Sequence, residues 1–464
     1  VLWTRLAPDV LNGGGMPPET VPVEWQVASD EKMRNVVQRG TAIATPELAH
    51  SIHAEVSQLR PGTWYWYQFF VGQGENRVAS PVGRTRTAPA NVAGIDQFRF
   101  AFASCQNYQD GYYTAYQHMT EEDLDLVIHL GDYIYEGPRR LDRVRQHPIE
   151  QAQNLEQYRL RYAVYKSDPD LQRAHALFPW AVIPDDHEVS DNYASDIPDL
   201  DSPREGFLQR RASAYQAYYE HLPLRRASIP NGSDIRLYRR LQFGSLINFH
   251  LLDTRQHRTD QACGDKVKPV CEERNAPDAT MMGAAQEQWL FDGLSNSTAR
   301  WNVVAQQVFM SEFDFDPGAN RVYAMDKWDG YPAARARFTG FLGRRRPSNP
   351  VLIAGDNHNN WVFDLKHDFR DAKSPVLAPE FVGTSITSGR DGSDQDSEYT
   401  PALSANPHVK FLNSRRGYVR CKVTSKLWTT DFRIVPYVEK AGAPIHTWAT
   451  YVVANGQPGA IRSS

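Results

Sequence analysis

Leu126-Val127-Ile128-His129-Leu130-Gly131-Asp132-Tyr133-Ile134-Tyr135 is the stretch that decides the fold. Its first five residues read as a buried strand, and Gly131 ends that strand. Asp132 and Tyr135 then follow in a loop. A strand that ends this way offers a carboxylate and a phenolate to a cation, and anionic oxygen suits hard metals. Taken alone, the stretch has a plainer reading: an aspartate capping a turn beside two core tyrosines.

Three other segments support the metal reading. Phe100-Ala101-Phe102-Ala103-Ser104-Cys105 is a second apolar strand, ending in a thiol. Ile183-Pro184-Asp185-Asp186-His187-Glu188 packs four ligand-type side chains together. Val351-Leu352-Ile353-Ala354-Gly355-Asp356-Asn357-His358 repeats the strand, Gly, Asp pattern with a histidine two residues on. Parallel strands of an α/β sheet present their carboxyl ends along one edge, where ligands gather. Residues far apart in sequence therefore meet there. Each segment also has a structural alternative: an inert buried thiol at Cys105, a core histidine at His187, a helix cap at Asp356 and His358.

The ordered set Ser104-Cys105, His129 to Glu136, Asp185 to Glu188, Leu252-Asp253-Thr254-Arg255 and Gly355 to His358 resembles the PhoD-type alkaline phosphatases and phosphodiesterases. That family includes some secreted bacterial phospholipases D. The resemblance runs from Val1 to about Val453. It implies that Cys105, Asp132, Tyr135 and Asp356 hold a ferric ion. It also implies that Asp132 bridges to calcium, with Asp186, Asn192 and His358 in or near that second part of the cluster. Thiolate and phenolate keep iron ferric, and calcium accepts carboxylate and amide oxygens in loose geometry. The metals would neutralise phosphoryl oxygens and activate water or oxide for attack on phosphorus.

Arg255 is expected to fork onto the phosphate; the alternative is a structural ion pair with Asp253. His187 is expected to help the leaving group depart, or to hydrogen-bond a metal ligand. Two features depart from the family pattern. Val189-Ser190-Asp191-Asn192 stands where two adjacent asparagines are commoner, which bears on the Asn192 ligand. Close members also carry a C-terminal helix over the site, whereas this chain ends in the strand-like Ala449 to Ala454 and a polar tail, Asn455 to Ser464. That ending predicts a more open site.

Length and composition set the outer limits. The 464 residues suffice for two domains, and 41% hydrophobic with 11% aromatic content describes a globular chain. No apolar run reaches the eighteen or so residues that cross a bilayer. A net charge of −4, with Arg344-Arg345-Arg346 as the one basic block, makes nucleic acid an unexpected partner. The triplet reads as a solvated helix end. The first residue is Val, so no targeting signal can be read; the resemblance implies export after folding, hence a secreted protein. Cys263 and Cys271 flank a short loop suited to a local disulfide, with a second metal site as the rival. Cys421 reads as a core residue, with a Cys105–Cys421 disulfide as the alternative.

The chain divides into two parts. Residues 1 to about 90 carry short β runs, Val21 to Val27 and Ser51 to Val56, and then Leu59-Arg60-Pro61-Gly62-Thr63-Trp64-Tyr65-Trp66-Tyr67. The Leu, Pro, Tyr spacing resembles the tyrosine corner of fibronectin and immunoglobulin-like sandwiches. A sugar-binding platform at Trp64 and Trp66 is the functional alternative. A polar, Pro-containing linker, Arg84 to Gly94, precedes the catalytic part from about Phe98. There Leu208, Ala212, Tyr215, Tyr219 and Leu222 mark one helix and Gln286 to Leu294 another, while Trp301 to Val308 reads as a core strand.

The expectation is an α/β protein. A β-sandwich over residues 1–90 precedes a calcineurin-like four-layer α/β/β/α metallophosphoesterase domain over 98–464. The expected activity is metal-dependent phosphoester hydrolysis, with a small phosphoester or phospholipid as substrate and at most transient contact with a membrane surface. Phospholipase D chemistry at the same metals and a non-catalytic metal-dependent binding protein are the two alternatives.

Overall fold

The apolar strands assemble into two seven-stranded sheets. The computed structural model describes residues 1–138, 143–200 and 202–463. Asp201 and Ser464, the end of the polar tail, lie outside the described residues. In the first sheet Gln97–Ala103, Leu126–His129 and Trp180–Val182 run parallel, and the antiparallel strands Arg416–Thr424, Leu427–Val435, His446–Ala454 and Ile461–Ser463 extend it. In the second, Ile247–Leu251, Trp301–Ala305, Pro350–Ala354 and Val376–Val382 run parallel. Arg239–Phe243 closes one side antiparallel, and Asn360–Lys366 with Val409–Asn413 closes the other.

Successive side chains of a strand point to opposite faces, so each buried strand serves two cores. Phe100, Phe102 and Ile128 of the first sheet share one core with Phe249, Val303 and Ile353 of the second. On the other face of the first sheet, Ala101, Ala103 and Val127 pack with residues of the helices Thr114–Met119, Leu155–Lys166, Pro169–Leu177 and Phe207–His221. On the other face of the second, Val304 and Leu352 pack with Gly283–Ser295 and Pro332–Arg345. The Arg344-Arg345 pair ends that last helix, and Arg346 takes a left-handed C-terminal turn at φ 48°. Cations there complement the carbonyl end of the helix dipole.

The N-terminal strands form a separate core. Val21–Ala28 lies between Val36–Ala44 and Trp64–Val71, and Gly83–Arg86 joins the latter. Val23, Val27, Tyr65 and Phe69 pack against Leu2, Ile52 and Ala54 of the paired strands Leu2–Arg5 and Ser51–Ala54. The Tyr65 hydroxyl accepts the Arg60 backbone N–H at 3.0 Å, tying the strand to its preceding turn. Arg84 covers the Trp64 indole at 3.7 Å, a cation–π contact that takes one face of the supposed sugar platform.

Cys263 and Cys271 form a disulfide, whereas Cys105 and Cys421 are both free and buried. No helix among the described residues is long and apolar enough to cross a membrane.

Candidate metal centre

The parallel strands of both sheets direct their carboxyl ends to one place. Cys105 follows Gln97–Ala103, and Asp132 and Tyr135 follow Leu126–His129. Asp185, Asp186 and His187 follow Trp180–Val182, and Asp356 and His358 follow Pro350–Ala354. A parallel bridge between Ser104 and Ser385 joins the two sheets beside the site.

The glycines of the two Gly-Asp pairs make this convergence possible. A Cβ on Gly131, at φ 113°, would lie 2.4 Å from the Cβ of Asp185, and one on Gly355 would lie 2.4 Å from the Ser104 hydroxyl. Only glycine lets the loops approach so closely. Cys105, Asp132, Asn192, Asp356 and His358 all sit in left-handed backbone, with φ between 49° and 62°. Each such non-glycine residue costs about 1–3 kcal/mol, and backbone of this kind gathers at functional sites.

Atoms able to bind a cation fall into three overlapping groups, each within 4.8 Å: Cys105, Asp132 and His358; Asp132, Asp186 and His187; Asp185, Asp186 and Asp356. The Tyr135 hydroxyl lies 3.0 Å from Asp132 Oδ2, 3.1 Å from His358 Nε2 and 2.7 Å from Ser388 Oγ. His358 thus stands on the Cys105–Tyr135 side and Asp356 on the Asp186 side, which differs from the grouping the resemblance implies. Asn192 lines the same cavity; its backbone N–H donates to Asp186 at 2.7 Å and its amide to Asp265 at 2.9 Å.

Crowded acids resist ionisation. Burial, and then the charges of Asp132 and Asp356, push the Cys105 thiol up. Burial and the neighbouring Asp186 likewise raise Asp132, against the pull of His187. Asp185 is raised to about 7 by burial, with Arg255 opposing. Asp132 Oδ1 and Asp185 Oδ2 are buried with no hydrogen-bond partner. Carboxylates, thiol and phenol of one sign, held together with orphaned oxygens, fit cations of hard and intermediate character.

Further side chains hold this arrangement. Glu188 accepts the backbone N–H groups of Asp132 (3.1 Å), Tyr133 (2.5 Å) and Asp185 (2.6 Å), so one carboxylate fixes two of the strand-end loops. His187 stacks on Tyr135 with ring centres 4.2 Å apart, its Nδ1 2.7 Å from Glu136 and its Nε2 3.5 Å from Asp191. Burial alone would raise Glu136, but His187 overrides it and holds that carboxyl low.

Arg255 requires a correction. Its guanidinium is wholly buried, with Nε 2.5 Å from Asp185 and the terminal nitrogens 2.6 and 2.8 Å from Asp326. It does not line the cavity, and its fork is already occupied by carboxylates. Its side chain is not paired with Asp253 either, whose Oδ1 accepts the Arg255 backbone N–H at 3.1 Å. Among the described residues the cavity is lined by the cation Lys327, hydrogen-bonded to Asp356 Oδ2, which sequence reading passed over. Asp326-Lys327 follows the three-residue strand Val322–Ala324 and carries no motif that marks it. Asp185 and Glu188 were visible in their motif, but their separate duties were not. The cavity has a volume of about 360 Å³, and its outer wall includes Asp396, Glu398 and Tyr399.

Two family models match the chain: PhoD-like phosphatase over residues 100–432 and the N-terminal domain of PhoD-like phosphatase over residues 1–89. Alkaline phosphatase D of Bacillus subtilis (strain 168) is 51% identical over 464 residues, spanning 99% of this chain and 79% of the relative. A solved structure described as "Structure of PhoD" superposes with a TM-score of 0.96 at 50% identity, covering 100% of this chain and 89% of that one. The non-catalytic binding alternative does not fit likeness of this extent. The chain belongs to the PhoD-like phosphatase family and is a phosphoric ester hydrolase.

Proposed function

We propose that hydrolysis depends on Fe3+ and Ca2+ held at the strand-end cavity. The observation that carries this reading is the buried Asp132, shared between two ligand groups and keeping an orphaned oxygen. Cys105, Asp132 and Tyr135, with His358 beside them, would hold the iron; Asp132, Asp186, Asn192 and Asp356 would hold the calcium. When bound, the cations supply Lewis-acid charge to the phosphoryl oxygens and lower the pKa of water.

The chain's own residues do the rest. Glu136 orients His187 through Nδ1, and Nε2, 3.5 Å from Asp191, carries the proton for the departing group at the cavity wall. Lys327 presents a cation to a phosphoryl oxygen. Arg255 acts through Asp185 and Asp326, placing the ligand loops and compensating their charge. We read residues 1–90 as a fibronectin/immunoglobulin-like sandwich and 98–464 as a calcineurin-like four-layer domain. The shared cores described above support that division. The Cys263–Cys271 disulfide supports an exported protein.

Thiolate and phenolate on ferric iron give visible charge-transfer absorption. The loaded protein should be coloured, with metal analysis finding iron and calcium, and Cys105→Ala should lose colour and hydrolysis together. Activity retained without colour would sink the iron assignment. Phosphorus NMR with a simple phosphomonoester and with phosphatidylcholine micelles then separates the substrates. Release of inorganic phosphate marks a phosphatase; conversion of the lipid to phosphatidic acid marks phospholipase D chemistry at the same cavity.

A further inference from the structure

A second cavity, of about 580 Å³, lies where the N-terminal strands meet the catalytic part, and it shares no residue with the metal cavity. It opens at the sheet edges: Trp180–Val182 is the edge strand of the first sheet and Arg239–Phe243 of the second. Among the described residues its wall carries Arg84, Arg86, Arg225, Arg236, Arg239 and Arg240 and no aspartate or glutamate. Such a wall is unusual in a chain whose net charge is −4.

The arginines are only partly compensated: the charges of Asp123 and Asp125 act on Arg84 and that of Asp292 on Arg240, each against the effect of burial. Arg86 pairs with Asp125, and Arg225 reaches Glu55 at 3.5 Å across exposed surface. Arg84, Arg236, Arg239 and Arg240 form no ion pair among the described residues. Half-buried Arg239 donates to two carbonyl oxygens, Leu237 at 2.9 Å and Val182 at 2.8 Å. Burial, and then the charge of nearby Arg225, lowers its pKa. Charges on an edge strand deter strand pairing, but exposed residues suffice for that, and it does not account for arginines on three separate segments facing one space. Trp180, Tyr238 and Trp289 add aromatic surface to the wall, with Arg240 lying 4.2 Å over Trp289.

We infer that this cavity binds a multiply charged phosphate anion, held by Arg225, Arg236 and Arg239 at a distance from the reacting centre. A guanidinium fork matches two phosphoryl oxygens, and several forks around one space favour an anion with more than one phosphate. That anion is either a second phosphate of an extended substrate or a free polyphosphate.

The test is calorimetric titration of the full chain with inorganic tripolyphosphate, in an Asp132→Asn background that disables the metal cavity. One binding site is expected there, weakened at least tenfold by Arg225→Gln with Arg236→Gln. Both residues are exposed, so the fold tolerates the change. No binding in the Asp132→Asn chain, or binding indifferent to the arginine replacements, overturns the inference. Kinetics of the arginine variants on intact metal ligands identify the source. KM for a small phosphomonoester should not move. KM for a short phosphodiester-linked chain rising about fivefold or more assigns the site to the substrate; an unchanged value with tripolyphosphate binding lost assigns it to a separate anion. Because binding is read without turnover, failure of the metal reading would leave this result standing.

Discussion

The strand-end cavity and the seam cavity are opposites built from the same problem. Each collects an excess of charge of one sign that its few counterions do not balance. At the strand ends, acids converge within 4.8 Å on left-handed backbone fixed by Glu188 and two glycines. At the seam, arginines stand on separate elements, some resting on indoles and none locked to a common point. The difference matches the expected guests. A small, hard cation needs several oxygens at one point, and the protein must store strain to hold them there. A large anion spreads its charge, so its site can be shallow and partly solvated.

The sharpest way to break the comparison is Asp132→Ala. With several kcal/mol of charge stabilisation gone, hydrolysis should fall about a thousandfold. In chelator-treated protein the sign should reverse for stability: Asp132→Asn relieves a buried carboxyl and should raise Tm above that of the metal-free parent. A lower Tm would mean that Asp132 is structural, like an ordinary buried cap.

The seam has its own pH signature. His53 stacks on Tyr219 at 4.2 Å, and its Nδ1 meets the Leu224 carbonyl at 2.8 Å. Burial lowers its pKa from 6.5 to about 4. A histidine whose folded pKa is depressed contributes stability that is complete above pH 6.5 and lost as the pH falls to about 4. The loss should be about 3 kcal/mol. Urea titrations across that range should show it, and His53→Phe should flatten the slope; an unchanged slope would refute the assignment.

Glu188→Gln probes the frame of the acidic cavity without touching a ligand. An amide nitrogen would then confront backbone donors, and metal affinity should drop about 10–100-fold. Direct metal titration reads this, and unchanged affinity would leave the glutamate a packing residue. The smallest effect is expected from the other free thiol. Cys421, buried 3.9 Å from the Thr430 hydroxyl, packs in the core between the sheets. Cys421→Ala should cost about 1–2 kcal/mol of stability and leave colour and activity intact, in contrast to Cys105→Ala.

Motif reading picked out residues that the structure brings together where the chain itself enforces geometry. A strand followed by Gly-Asp places a carboxylate at a sheet edge whatever the rest of the chain does, so Asp132 and Asp356 were legible, as were Cys105, Tyr135, Asp186 and His187. It failed where partners come from elsewhere. Arg255 follows a strand as expected, yet Asp326, over seventy residues away, claims its fork. Lys327 reaches the cavity from a short strand that no periodicity announces.

Sequence alone therefore determined the alternating α/β organisation, the Cys263–Cys271 pairing and the residues that converge at the strand ends, because these follow from local patterns and short spacings. Only the tertiary structure decided which strand-end side chain faces which neighbour, what occupies each guanidinium, and that a cavity whose described wall carries no acid lies beside the N-terminal strands. Those depend on contacts between distant segments, which composition and periodicity do not encode.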